Sequence, residues 1–186
     1  MSEKLLQPFF RAYPSSSQAR FPTDAAIQNF TGKLPEGLLN IWQVHGWGSY
    51  RDGLFWLVDP TDYRVILETW GIDPNRATVF LRSSFGDLFF WDSHIVYRIQ
   101  IHYGNILDWD DSLDNFLKFR MRYEPYLSEN FDLELHYNCL SKLGSLSSDE
   151  MFGFEPALIL GGKKDVEFAR RLNLFTHIDI LTQLYL

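Results

Sequence analysis

The stretch from Ala77 to Trp109, ATVFLRSSFGDLFFWDSHIVYRIQIHYGNILDW, limits the folds open to this chain more than any other. Thr78 to Arg82 alternates β-branched and aromatic residues with polar ones, and Leu88 to Trp91 is a second apolar run. Ser84-Phe-Gly-Asp87 between them is a turn, where Gly86 takes positive φ without steric cost. After a turn at Asp92-Ser93, Ile95 to Tyr103 alternates strictly. The spacing predicts Ile95, Tyr97, Ile99, Ile101 and Tyr103 on one face, with Val96, Arg98, Gln100 and His102 on a more polar one. Gly104-Asn105 is a two-residue hairpin signal, after which Ile106 to Trp109 returns antiparallel. Four strands in a meander with a markedly apolar face need helices to cover them.

Those helices are legible on both sides. Leu5 to Tyr13 has amphipathic spacing, with Leu5, Phe9, Phe10 and Tyr13 facing inward, and Pro14-Ser-Ser-Ser is a loop. Thr23-Asp24 opens a helix through Phe30 that stops at Gly32, and Pro35 opens another that carries Leu38, Leu39, Trp42 and Val44 to His45. Gly46 to Tyr50 reads as a break, Leu54 to Val58 as a strand, and Asp62 to Trp70 as a helix. Beyond the meander, a helix starts at Asp111-Ser-Leu-Asp114 with an inward stripe of Leu113, Phe116, Leu117, Phe119 or Arg120, and Tyr123, and Pro125 ends it. Asp132 to Leu143 is helical and closed by Gly144, while Met151 to Leu160 is apolar around Pro156. Val166 to Leu172 fits strand and helix equally, and Leu174 to Leu184 is helical. The expected class is α+β, a central antiparallel β-meander flanked by N-terminal and C-terminal helices.

Composition narrows the function classes. The 186 residues suffice for one sizeable core, and 46% hydrophobic with 17% aromatic content fits a well-packed protein with aromatic surface to spare. No run reaches about 18 apolar residues, so no membrane span is expected. Met1-Ser-Glu-Lys is not followed by an apolar stretch, so no signal peptide is expected and the cytoplasm is the natural location. Cys139 is the only cysteine, which excludes an internal disulfide and a cysteine-based metal site. The net charge is −7, and it is uneven. Residues 1–93 hold ten acids and eight bases, whereas residues 94–186 hold fourteen acids and nine bases. That balance disfavours direct nucleic-acid binding and favours a basic protein partner.

Catalytic signals are missing. The glycine clusters Gly46-Trp-Gly48 and Gly161-Gly-Lys-Lys164 fit neither phosphate-loop pattern and read as turns or caps. His45, His94, His102, His136 and His177 show no metal-ligand spacing, and Ser83-Ser84 lacks a nucleophile-elbow context. Cys139 reads as a buried small hydrophobe within a helix, although a Cys–His pairing stays open. No catalytic residue, cofactor or metal is expected.

The acidic run Asp108-Trp-Asp-Asp111, with Asp114 one turn on, is the most distinctive local feature. A helix start needs one capping side chain, from Asp110, Asp111 or Ser112, and Asp114 suits the positive helix end. Capping alone accounts for one carboxylate, yet the run holds four beside a large aromatic. Asp108 to Glu134 holds eight acids and three bases, a face that attracts a cationic surface. Around Gly46–Gly48, Trp47 and Tyr50 with Trp56 form either a second aromatic partner patch or part of the core.

Two stretches resemble known domains. LPEGLLNIWQVHGWGSYRDGLFWLVDPTDY (Leu34 to Tyr63) with FGDLFFW (Phe85 to Trp91) is similar to the GAD-like domain. DEMFGFEPALILGG (Asp149 to Gly162) with FTHIDILTQL (Phe175 to Leu184) resembles the C-terminal domain of type VI secretion immunity proteins. The resemblance divides the chain into a GAD-like α+β region at 1–109 and a mostly helical immunity-type region at 110–186, packed as one body. It implies a cytoplasmic antidote that binds and blocks a secreted DNase toxin and protects the producing cell and its kin. It supplies no contact residues. The expected partner-binding residues, Asp108, Trp109, Asp110, Asp111, Asp114, Trp47 and Tyr50, come from charge and aromatic content alone. A regulatory interaction domain without a toxin, or a small hydrolase, are the competing readings.

Overall fold

A computed structural model describes residues 7–15, 19–110 and 113–186, with the side chains of 7–9, 110, 114 and 118 outside that description. The expectations for Leu5, Phe9, the Ser16-Ser17 loop and Asp111 therefore fall outside the described residues. The chain is α+β, as its pattern predicts. Helices α1 (Gln7–Ala12), α2 (Asp24–Phe30) and α3 (Glu36–His45) precede the sheet. Thr23 Oγ1 accepts from the Ala26 amide at 3.2 Å and caps α2. Strands β1 (Gly48–Tyr50), β2 (Phe55–Leu57), β3 (Thr78–Ser83), β4 (Leu88–Asp92), β5 (Ile95–Gln100) and β6 (Asn105–Asp110) pair antiparallel in chain order, with α4 (Arg64–Thr69) between β2 and β3. Helices α5 (Leu113–Lys118), α6 (Glu124–Asn130) and α7 (Leu133–Leu143) follow. A two-stranded sheet of β7 (Glu150–Phe154) and β8 (Ala169–Asn173) then leads into α8 (Leu174–Tyr185).

Strands β2, β3 and β4 are buried on both faces, so the centre of the large sheet has no solvated polar face. Phe55, Leu57, Phe89, Trp91 and Val96 point into one core with α2, α3 and α5. Trp56, Val58, Leu88, Phe90 and Ile99 point into a second core with Leu67 of α4 and with Leu174, Ile178 and Leu181 of α8. Period-two alternation of large side chains on both faces is what makes this two-sided packing possible. A bulge lies between Val79 and Leu81, whose cross-strand partners are Phe90 and Phe89. Phe80 is the extra residue, and it joins Leu81 in the first core while Val79 enters the second. On the first face, Phe131 stacks on Phe89 at 5.2 Å and Phe116 lies 5.4 Å from it, which ties the C-terminal helices to the sheet. On the second, Trp70 Nε1 donates to Thr182 Oγ1 at 3.0 Å and joins α4 to α8.

Several expectations need correction. Gly48 to Tyr50 is an edge strand paired with β2 and not part of a break. Pro125 sits in the first turn of α6 and does not end a helix, because its missing N–H is harmless there. Residues 169–173 are strand, which makes the C-terminal part less helical than expected. Strand β5 stops at Gln100, not Tyr103. The Asp87 carboxylate accepts from the Ile101 amide at 3.0 Å, and the Gln100 carbonyl accepts from the Tyr103 and Gly104 amides. These bonds turn the chain over 101–104 and leave Gln100 facing Asn105 across a four-residue loop. Tyr103 is consequently 48% exposed, while Ile101 and His102 are buried.

Gly104 has φ +66°, and a Cβ built there would lie 2.2 Å from the Tyr185 ring at the end of α8. The Tyr185 hydroxyl donates to the His102 carbonyl, so this glycine lets the last helix close on the sheet. Gly104→Ala should lower stability by about 2–4 kcal/mol, from positive φ together with overpacking. Urea unfolding checks it, and a loss under about 0.5 kcal/mol would show that the α8 end does not depend on this contact.

Candidate partner-binding surface

Strand β6 is an edge of the six-stranded sheet, and α5 lies against it. By alternation Ile106 and Asp108 share one side of β6, and both are exposed. Asp108 carries a carboxylate with no ion-pair partner among the described residues. Asp110 closes the strand opposite Val96, and Asp114 lies in the first turn of α5, but their side chains are outside the described residues, as is Asp111.

The expected aromatic anchors sit elsewhere. Tyr50 is 1% exposed, stacked on Phe55 at 6.0 Å, with its hydroxyl donating to the His45 carbonyl at 3.2 Å. Trp47 is 7% exposed and edge-on to Trp42 at 5.7 Å. Both belong to the first core: Tyr50 ends β1, and Trp47 lies just before that strand, held by its backbone bridge to Arg20. Trp56 is buried as well, beneath the Arg82 guanidinium at 4.4 Å. Trp109 is half-buried. Val96 pairs with Asp110 and Tyr97 with Asp108, so Trp109 is the bulged residue of β6. The bulge aims its ring inward, where the Arg98 guanidinium covers it at 4.5 Å and Phe89 meets it at 5.9 Å.

Exposed aromatics appear at positions the helical stripe assigned to the interior. Phe119 is 67% exposed and Tyr123 is 62% exposed. With Asn115 and Arg120 they border a shallow depression just beyond α5. Helix α5 ends at Lys118, so a 3.6-residue period has no meaning past it, and the turn Arg120–Arg122 rotates Phe119 and Tyr123 outward. The result is a mixed ridge in which two exposed aromatics, Phe119 and Tyr123, stand beside Asn115 and the cationic Arg120.

Pairing thins the acidic face. Glu124 is bound by Arg51, and Asp132 by Lys164 at 2.7 Å. Asp108, Glu129 and Glu134 remain as exposed acids of that stretch. The other titratable groups are structural in character. Cys139 is fully buried, and desolvation pushes its thiol up to about 11, away from the thiolate. Ser84 Oγ lies 3.0 Å from His136 Nδ1, a Ser–His contact with the form of a nucleophile and its base. Both residues are 0% exposed, so no substrate reaches them, and the contact instead joins the turn after β3 to α7. Among the described residues no cluster of three or more His, Cys, Asp or Glu is arranged to hold a metal ion. No helix among them is long and apolar enough to cross a membrane.

Residues 4–105 match the family described as the GAD-like domain. The chain belongs to the GAD-like family. Residues 110–185 of this GAD-like protein match the family described as T6SS immunity protein Tdi1, C-terminal. The two matches meet within β6, so the acidic edge strand is the seam between the GAD-like part and the immunity-type part. The two hydrophobic cores that flank the large sheet each draw residues from both parts. The crystal structure of Atu4351 from Agrobacterium tumefaciens shares the fold, with a TM-score of 0.79 at 17% identity over 94% of this chain and 87% of that one. Comparison with curated proteins gives no match.

Proposed function

We propose that this GAD-like protein is the antidote to a type VI secretion nuclease, acting in the cytoplasm of the producing cell by binding the toxin directly. The immunity-class match over residues 110–185 carries the reading. The nuclease is the toxin class that charge favours. A DNA-cutting enzyme lines its cleft with Lys and Arg, and this chain carries −7 with its acids weighted to the second half. The contact surface is assigned to the exposed side of β6 and the ridge beyond α5: Asp108, Asp110, Asp111 and Asp114 for charge, with Phe119 and Tyr123 as anchors. Protein interfaces concentrate their energy in a few desolvated aromatic or arginine side chains, and the acids around them steer the encounter. Trp47 and Tyr50 act only as core. A toxin-free regulatory interaction domain is the second reading, favoured by the GAD-like match, whose description names no toxin.

The test mixes the purified protein with a candidate type VI secretion nuclease and follows plasmid cleavage. Cleavage should stop near a one-to-one ratio. Phe119→Ala with Tyr123→Ala should weaken binding about 30-fold or more, the scale expected for losing two anchors. Full inhibition by that double variant at unchanged affinity would place the interface elsewhere, and no inhibition by the native protein would reject the antidote reading.

A further inference from the structure

The two edges of the large sheet differ. At the β1 edge, Arg20 and Trp47 exchange both main-chain hydrogen bonds at 2.7 Å. Ala19 packs over Gly48 so closely that a Cβ built on that glycine would lie 3.1 Å from its Cα. That edge is closed by the chain itself. At the other edge, β6 pairs with β5, and no main-chain hydrogen bond joins it to a further element among the described residues. A row of unpaired N–H and C=O groups is a template for another strand, which native edges blunt with proline, lysine, cover or bulges. Residues 105–110 contain neither proline nor lysine, and the bulge at Trp109 leaves the pairing of 105–108 regular.

Side chains of a strand added to β6 fall alternately on two faces. One is the face of Ile106 and Asp108, both exposed, where Asp108 has no ion-pair partner among the described residues. The other carries Leu107 and a cleft of about 450 Å³ walled by Trp109, Glu129 and Asn130. In that cleft Arg98 is bound to Asp87 and Lys164 to Asp132. Glu129 is exposed there and has no ion-pair partner among the described residues. Each face therefore offers a free carboxylate. A second copy of this chain fits poorly, because joining two β6 edges brings Asp108 and Asp110 of one copy near those of the other, with no base in the strand to offset them. A segment with Lys or Arg on both faces is complementary, and its main chain supplies hydrogen bonds whatever its sequence.

We propose that β6 is a strand-addition site for an extended cationic segment of a partner protein. The attachment is through main chain, and its test needs no toxin, so its outcome is independent of the antidote reading. The probe is the acetylated, amidated peptide Lys-Val-Lys-Val-Lys-Val, followed by NMR through the backbone amides of residues 105–108. It should bind with a dissociation constant of about 1 mM, as suits a short flexible ligand. At about 10 mM peptide, amide exchange should slow about 10-fold at every second residue of that stretch, because alternate N–H groups of an edge strand point outward. Glu-Val-Glu-Val-Glu-Val should bind at least about 10-fold more weakly. So should the lysine peptide with its two central amides N-methylated, which keeps the charge and removes a donor from each edge. Asp108→Lys, at an exposed position, should lower the lysine peptide's affinity about 10-fold. No change up to about 20 mM peptide, or equal binding of the N-methylated or the glutamate peptide, would overturn the proposal. Slow exchange at alternate residues of 105–108 in the free protein, with a dimer mass by sedimentation, would place a second copy on this edge and overturn it too.

Discussion

On acidification from pH 7 to pH 4, the protein should lose about 6 kcal/mol of stability, enough to unfold most domains of this size. The cause is a pair of histidines folded in neutral form. His136 is 0% exposed and His102 is 4% exposed, and desolvation holds each down to about 4 from the ordinary 6.5. A base whose folded value is depressed keeps its full contribution above its unfolded value. Below about 6.5 the unfolded chain takes up protons that the folded one refuses, so stability falls as pH drops through the 6.5-to-4 window. Each site contributes about 3 kcal/mol across it. Burial of His177 acts in the same direction. Urea unfolding at pH 7, 6, 5 and about 4.5 should show a slope near 2–3 kcal/mol per pH unit in mid-window, with His136→Gln and His102→Gln each removing about half. A stability flat from pH 7 to about 4.5 would mean that these rings are protonated in the folded protein.

Asp87→Ala should cost about 3–5 kcal/mol at pH 7, the second-largest effect expected. Asp87 and Arg98 are 6% and 5% exposed, and Arg98 Nε and Nη2 both donate to Asp87 Oδ2. The other oxygen, Oδ1, accepts the Ile101 amide that turns the chain off the sheet. Removing the carboxylate strands a buried guanidinium between Phe89 and Trp109, and it also leaves a backbone donor unpaired. Asp87→Asn keeps an acceptor for Ile101 and should cost about half as much. Asp87→Ala combined with Arg98→Met should be milder than Asp87→Ala alone, because the desolvated charge is gone. Denaturant midpoints with unchanged m-values settle the order. Asp87→Ala within about 0.5 kcal/mol of the parent would show that the pair is dispensable.

What the sequence made visible was local. The Thr23 cap and the Gly144 stop mark their helices through residues a few positions apart, and both hold. The meander was legible because Gly86 and the Asp92-Ser93 turn divide runs with clear alternation. Long-range features were not. β1 is a strand only because β2 lies beside it, and without that partner Gly46 to Tyr50 looks like punctuation. Arg51 and Glu124 are 73 residues apart, so nothing local shows that this acid is neutralised. Phe119 and Tyr123 look interior when a helical period is extended past Lys118, where the helix has already ended. The acidic run is legible as charge, and its place on an edge strand is not.

The central claim is that the acids of β6 and the following helix start face a cationic toxin. Its most direct test is the association rate of the protein with a candidate type VI secretion nuclease that it inhibits, measured against ionic strength, for the native protein and for Asp108→Asn with Asp110→Asn. Those changes keep side-chain oxygens at the helix start, so folding is preserved while two charges go. The native rate should fall steeply with salt, and the variant should associate about 10-fold more slowly at low salt with a flatter dependence. Identical rates and identical salt dependence for the two proteins would contradict the account.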